Sequence, residues 1–122
     1  MIVYLYNQQV TPPPPFVHVT IGSPITENVL PDFPAQIDTA ADTTVIPQQL
    51  VDALDLDPLE EKPIMGFGGH IVNVSPFLVR LGVRGSEAFA VRVLASEGEP
   101  FVLLGRDVLN RYRLVLDGPA LG

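Results

Sequence analysis

Short apolar runs separated by turn-forming residues are the feature that most restricts how this chain can fold. Most of the runs are about 4 to 8 residues long and end at Gly, Pro or Asp, which is typical of strands joined by tight turns. The 13 prolines and 10 glycines among the 122 residues interrupt any longer helical repeat. The pattern therefore predicts an all-β protein, and the length suits a single folded domain.

The positions of the main strands follow from the same runs. Residues 16–21 and 35–38 are predicted strands, and the run at 101–104, which has no polar alternation, predicts a fully buried strand. Residues 79–83 and 87–94 are separated by a short turn and predict a β-hairpin. In its second strand Phe89, Val91 and Val93 alternate with polar or small residues, so one face of that strand is expected to pack on the core.

Two short helices are predicted between the strands. The first begins at Pro47, since proline is favoured in the first turn of a helix, and runs to about Leu54. The second covers residues 107–112. Helices this short are marginal in isolation, so both are expected to depend on packing against the sheet.

The N-terminal fifteen residues differ in composition from the rest of the chain. Residues 1–6 are rich in β-branched and aromatic side chains and predict a short strand, and Thr-Pro-Pro-Pro-Pro at 11–15 predicts a stiff, extended connector. A proline-rich ligand for an SH3-like partner is the alternative function for that segment, and the connector is favoured. We therefore divide the chain into a strand and connector at 1–15 and a single domain at 16–122.

Charge and residue types exclude several classes of function. The net charge is −7, and the seven basic residues form no stripe that could follow a phosphate backbone, so no nucleic-acid partner is expected. The chain has no cysteine and two widely separated histidines, so neither a metal site nor another cofactor is predicted. The apolar run at 1–6 has no basic leader and is too short to span a membrane, which predicts a soluble, cytoplasmic protein without membrane contact.

The strongest candidate for a reactive group is Asp38. It follows the apolar Ile37 and precedes Thr39, Ala40 and Ala41, which would place a carboxylate at the end of a buried strand, in a turn of small side chains. Small side chains let another backbone, such as that of a substrate, approach closely. An ordinary turn after a strand is the alternative for an Asp-Thr pair taken alone.

Three separated segments together resemble the retropepsins, the family of retroviral proteases and their cellular and bacterial relatives. Ile-Asp-Thr-Ala-Ala-Asp-Thr at 37–43 resembles their active-site loop, and Leu-Leu-Gly-Arg-Asp-Val-Leu at 103–109 resembles the late segment that packs beneath it. The segment at 64–69 resembles the glycine-rich tip of the mobile flap. It consists of Ile64, Met65, Gly66, Phe67, Gly68 and Gly69.

The resemblance implies a closed, barrel-like acid-protease fold with one or two short helices and a C2 homodimer. It implies an aspartic endopeptidase that cleaves extended polypeptides by water activated between two Asp38 carboxylates, one from each subunit. Thr39, Ala40 and Ala41 would support the loop, with the Thr39 hydroxyl bonded across the dimer axis. Asp42 and Arg106 would form a buried, bidentate ion pair, and Asp42 would also help to hold the substrate backbone.

The sequence departs from the family pattern in two places. Ala40 stands where the family most often has glycine, so a catalytically inactive module for peptide binding or dimerisation is the alternative function. The segment before Pro12 is longer than the family's N-terminal segment. Three roles stay open for residues 1–6: pairing with residues 113–116, adding to the edge of a sheet, or removal by self-cleavage.

Overall fold

Eight strands and two short helices make up the part of the chain that the computed structural model describes, which is residues 2–59, 62–65, 71–84 and 86–121. All of these elements are short, as the spacing of turn-forming residues predicts. In chain order they are β1 (Phe16–Gly22), β2 (Val29–Ile37), β3 (Val45–Pro47), α1 (Gln48–Ala53), β4 (Lys62–Met65), β5 (Ile71–Val74), β6 (Phe77–Val83), β7 (Phe89–Ser96), β8 (Val102–Leu104) and α2 (Arg106–Leu109).

Six of the strands close into a barrel in the order β1-β2-β8-β3-β7-β6, with β6 returning to β1. Most neighbours are antiparallel, but β2 pairs with β8 in parallel, and so does β3 with β7. The interior is filled by aliphatic side chains from every wall of the barrel. Completely buried members are Val19, Ile21, Ala35, Ile46, Val79, Leu81, Val93, Val102, Leu104 and Val108.

The all-β class and most of the predicted elements are confirmed. The strand predicted at 16–21 is β1, and the predicted hairpin is the antiparallel pair of β6 and β7. On β7, Val93 is buried, Phe89 and Val91 are half-buried, and Ala90 and Arg92 are exposed, so the predicted alternation is present. The first predicted helix is α1, with Pro47 at its N-cap.

Other elements have boundaries that differ from the prediction, and β8 is not fully buried as predicted. The strand predicted to begin at Ala35 begins at Val29, because Pro31 and Pro34 lie where β2 pairs only with β1 and its other edge needs no donor. The central β8 is shorter than predicted and half-exposes Leu103. The second helix is the earlier and shorter α2, and the three-residue β3 was not predicted.

The N-terminal segment is not the predicted strand. Residues 2–6, which we call the N-terminal arm, belong to no strand, and the backbone hydrogen bond of the arm runs from the Tyr6 N–H to the Leu121 carbonyl at 2.7 Å. Residues 113–117, the C-terminal tail, also lie outside every described strand. Both segments therefore keep backbone groups available for another partner. Within the described ranges no helix is long and apolar enough to cross a membrane.

The barrel core predicts a measurable difference between two aliphatic residues. Leu81→Ala removes a fully buried side chain and should lower the free energy of unfolding by about 2–5 kcal/mol. Ile25→Ala, at a side chain that is 79% exposed, should change it by less than about 0.5 kcal/mol. Urea denaturation at equal protein concentration measures both, and similar losses would contradict the assigned core.

Candidate active site

Asp38 lies directly after the last residue of β2, in a turn at one end of the barrel. Its backbone N–H donates to the Leu104 carbonyl at 3.0 Å, and its own carbonyl accepts the Ala41 N–H at 3.2 Å. The Ala40 N–H donates to the Asp38 Oδ1 at 3.2 Å, so the backbone of the turn orients the carboxylate. Asp38 is half-buried, whereas Thr39 and Ala40 are exposed. The carboxylate is thus held at an accessible surface.

The position of Asp38 follows from the parallel pairing of β2 and β8. Ile37 pairs with Leu104, so the two strands end side by side and deliver Asp38 and Gly105 to the same edge of the barrel. Both strands end in an apolar residue, and Asp38 follows the first while Gly105 follows the second. Only the first of them carries a carboxylate at its end.

Gly105 lies against the backbone of the loop at 37–44 that contains Asp38. A Cβ atom built at this position would be 2.8 Å from the Thr43 carbonyl carbon and 3.0 Å from the Thr44 nitrogen. Real Cβ atoms do not approach backbone atoms that closely. There is no room for a side chain at this position, so it requires glycine. The two segments that the sequence analysis singled out, 37–43 and 103–109, are therefore in direct contact.

Arg106 supports the loop, although not through the predicted ion pair. Its backbone N–H donates to the Ala41 carbonyl at 2.8 Å, and its Nη1 donates to the Thr39 carbonyl at 2.8 Å. Asp42 and Arg106 are both exposed, and they form no ion pair in the described structure. The predicted buried, bidentate bridge is wrong because the guanidinium is directed to an exposed carbonyl that the turn leaves without a backbone donor.

Two polar residues at this site were missed by the sequence analysis. Thr44 is completely buried, and its Oγ1 donates to the Asp107 Oδ1 at 2.7 Å while accepting the Gly105 N–H at 3.0 Å. The Thr44 N–H also donates to the Asp107 Oδ2, at 3.1 Å. Asp107 lies inside the recognised Gly-Arg-Asp segment, but its partner lies 63 residues away, so local patterns carry no signal for the pair.

Ala40 fits its position without backbone strain. Positive φ angles among the described non-glycine residues occur at Asp32, Asp55 and Leu121, and Ala40 is not one of them. Glycine is required only where φ is positive or where space is lacking. The exposed Ala40 methyl meets neither condition, so the departure from the family pattern does not distort the loop.

Two of the remaining predicted site residues belong to a second pair of strands. Ile64 and Met65 lie in β4, which pairs antiparallel with β5 and forms a two-stranded sheet of its own. The Met65–Ile71 pair is the last before the connection. Gly66, Phe67, Gly68 and Gly69 fall outside the described residues. Among the residues described, no group of three or more His, Asp or Glu side chains is placed so that it could hold a metal ion.

The comparisons with known proteins agree with this architecture. A solved structure of EIAV protease complexed with the inhibitor HBY-793 superposes with a TM-score of 0.58 and 26% sequence identity, over 84% of this chain and 93% of that chain. The chain has a retropepsin-like fold. No protein-family model matches the sequence, and no curated protein matches it either. The closed barrel with short helices that the resemblance implied is therefore confirmed.

The retropepsin-like barrel has an apolar groove next to the Asp38 turn. A cavity of about 300 Å³ separates the N-terminal arm from the C-terminal tail, and Ile37, which precedes Asp38, lines its floor. The arm and the tail face each other across this groove without pairing. Large apolar side chains remain exposed on both sides. These are Ile2, Val3 and Leu5 on the arm and Leu114, Val115 and Leu116 on the tail.

The tight contact at Gly105 predicts that a larger side chain at this position destabilises the protein. Gly105→Ala should lower the free energy of unfolding by about 1–3 kcal/mol, since the new methyl overlaps the Thr43 backbone. Gly98→Ala is the matched control, because nothing lies within 4 Å of a Cβ atom there, and neither glycine has a positive φ. Thermal or urea denaturation measures both variants. Equal stability of the two would contradict the contact.

Proposed function

We propose that this chain is one subunit of a homodimeric aspartic endopeptidase in which each copy contributes Asp38. The observation that carries the proposal is the geometry of the Asp38 turn, in which a backbone N–H orients a half-buried carboxylate beside exposed small residues. A carboxylate kept at the accessible end of a packed barrel can both take up and release a proton. The likeness to a retroviral protease structure supports the same reaction class.

The second carboxylate has to come from a second copy of the chain. The end of β8 is the counterpart of the Asp38 position within this subunit, and Gly105 stands there. A two-fold axis between two Asp38 side chains would supply the missing group, and C2 dimers are the commonest closed assembly. Two carboxylates about 3 Å apart share one proton, because both cannot be ionised at that distance.

The shared proton gives the two groups different roles in hydrolysis. The ionised carboxylate accepts a proton from water as the water oxygen bonds to the peptide carbonyl carbon. The protonated carboxylate donates its proton to the carbonyl oxygen, which produces a tetrahedral intermediate. As that intermediate breaks down, the carbon–nitrogen bond breaks, and the nitrogen leaves with a proton delivered by the dyad. No covalent intermediate with the protein forms.

The terminal segments support the dimer. The groove between the arm and the tail offers apolar side chains and unpaired backbone next to Ile37, so a second copy seated there would lie close to the Asp38 turn. The buried Tyr4 hydroxyl has no hydrogen-bond partner in the described structure of the single chain. A buried hydroxyl without a partner is unfavourable, and a polar group of the second copy would satisfy it.

The proposed substrate is an extended polypeptide. A peptide can bind as an added strand, with main-chain hydrogen bonds for affinity and side-chain pockets for specificity. The β4–β5 hairpin forms a sheet separate from the barrel, which suits a flap that closes over a bound chain and excludes water. Ile64 to Gly69 would form the tip of that flap.

The proposed dyad predicts what happens when the Asp38 carboxylate is replaced by a neutral amide. Asp38→Asn should reduce peptide cleavage by at least about 10²-fold and up to 10⁴-fold, because an amide cannot accept the proton of water. Cleavage of a mixed peptide library by the two proteins at equal dimer concentration measures the difference.

The matched control for this variant is Asp52→Asn, at an exposed carboxylate in α1. It should leave cleavage unchanged. A folded, dimeric wild type that cleaves no peptide in the library would overturn the proposal and favour a peptide-binding module.

The dimer makes a separate prediction. Val115→Asp places a charge in the groove of the tail, and burying an unpaired charge costs about 3–5 kcal/mol, so the dimer Kd should rise by at least about 100-fold. Ile25→Asp, on an exposed loop at the opposite end of β1, should leave the dimer intact. Sedimentation velocity measures the Kd. A Val115→Asp protein that still dimerises would place the interface elsewhere.

A further inference from the structure

We infer that Thr44 and Asp107 are positioning residues for Asp38, an inference that rests on the proposed peptidase function. We call the Thr44 side chain, the Asp107 carboxylate and the Gly105 N–H the 44–107 clamp. Neither residue touches the reacting atoms in the proposed mechanism. Their effect passes through Arg106 to the active-site loop.

Every polar atom of the clamp is occupied. The Thr44 hydroxyl donates to Asp107 Oδ1 at 2.7 Å and accepts the Gly105 N–H at 3.0 Å, while Asp107 Oδ2 accepts the Thr44 N–H at 3.1 Å. The two donors of Thr44 thus meet the two oxygens of one carboxylate. Thr44 is fully buried, so no bulk water competes for these bonds, and bonds to a charged acceptor are about twice as strong as neutral ones.

The clamp connects the barrel wall to the catalytic turn in a continuous series of hydrogen bonds. The Thr44 carbonyl accepts the Leu94 N–H at 3.0 Å, which fixes Thr44 to β7. The clamp fixes Gly105 and Asp107 to Thr44. Arg106, between them, donates to the carbonyls of Ala41 and Thr39.

Those two carbonyls flank Ala40, whose N–H orients the Asp38 carboxylate. A shift of the Gly105–Asp107 segment would therefore move the donor that holds Asp38. Displacement of a reacting group by about 1 Å can reduce a rate by about 10²-fold. The β4–β5 hairpin, which is the proposed flap, takes no part in these bonds. Loss of the clamp should therefore lower kcat by a larger factor than it raises KM.

The test compares Thr44→Val with Thr44→Ser. Valine has nearly the same shape, but its side chain cannot donate to Asp107 Oδ1 or accept the Gly105 N–H, so only the backbone bond to Asp107 Oδ2 remains. The serine hydroxyl keeps both side-chain bonds. We expect kcat per folded dimer to fall by about 10²-fold in Thr44→Val and to stay close to wild type in Thr44→Ser. Thr20→Val on β1 is the matched control, because no hydrogen bond of its hydroxyl is present in the described structure.

Amide hydrogen exchange gives a readout that does not require activity. In Thr44→Val the N–H groups of Ala40 and Arg106 should exchange about fivefold to tenfold faster than in the wild type, and those of the barrel core should not change. Asp107→Asn should show a smaller effect, since its amide keeps a single acceptor oxygen.

The two proposals can fail separately. A wild type without peptidase activity would overturn the proposed function, while faster exchange at Ala40 in Thr44→Val would still support the positioning role. Unchanged exchange at Ala40 and Arg106 would overturn the inference. An unchanged kcat in a folded, dimeric Thr44→Val protein would overturn it as well.

Discussion

The parallel pairing of β2 with β8 is the constraint on which the rest of the site depends. Antiparallel neighbours place their carboxyl ends at opposite edges, whereas parallel neighbours end together. The Ile37–Leu104 pair therefore brings two chain segments that are 67 positions apart, as Thr39 and Arg106 are, to one edge of the barrel. Buried aliphatic residues in both strands hold the pairing in register, because a slip by one residue would turn Val102 and Leu104 away from the core.

The contact between these segments explains which substitutions the loop tolerates. At Gly105 the loop backbone is so close that no Cβ atom fits, while Ala40 points its methyl to the surface and has no positive φ. Glycine is therefore needed at position 105 and dispensable at position 40. The glycine most often found after Asp-Thr in the family is a weaker requirement in this chain than the glycine before Arg106.

Local sequence patterns predicted the features that depend on near neighbours. The alternation on β7, the apolar run of β1 and the Asp38 turn each depend on a few consecutive residues, and all three are present. The strand β3 is too short to show a period. The first part of β2 contains prolines, which are accommodated by a register shift and by the edge that faces away from β1.

Long-range polar contacts were the least predictable part of the site. The resemblance to the retropepsins implied that Asp42 would pair with Arg106. The acidic residue that makes side-chain hydrogen bonds at this site is instead Asp107. Its partner is Thr44, because β8 and α2 place Asp107 against the end of the loop. Charge type alone does not select a partner. The strand order does, and the strand order depends on packing of the whole barrel.

The same topology links assembly to chemistry. The barrel completes its core within one subunit, but the turn after β2 presents a single Asp38, and exposed apolar side chains of the arm and the tail line a groove with Ile37. The apolar groove and the Asp38 turn thus occur at the same end of the molecule. A second copy that covered the groove would also bring a second Asp38, so the monomer of the proposed enzyme would be inactive. Protein concentration then controls activity through the dimer equilibrium.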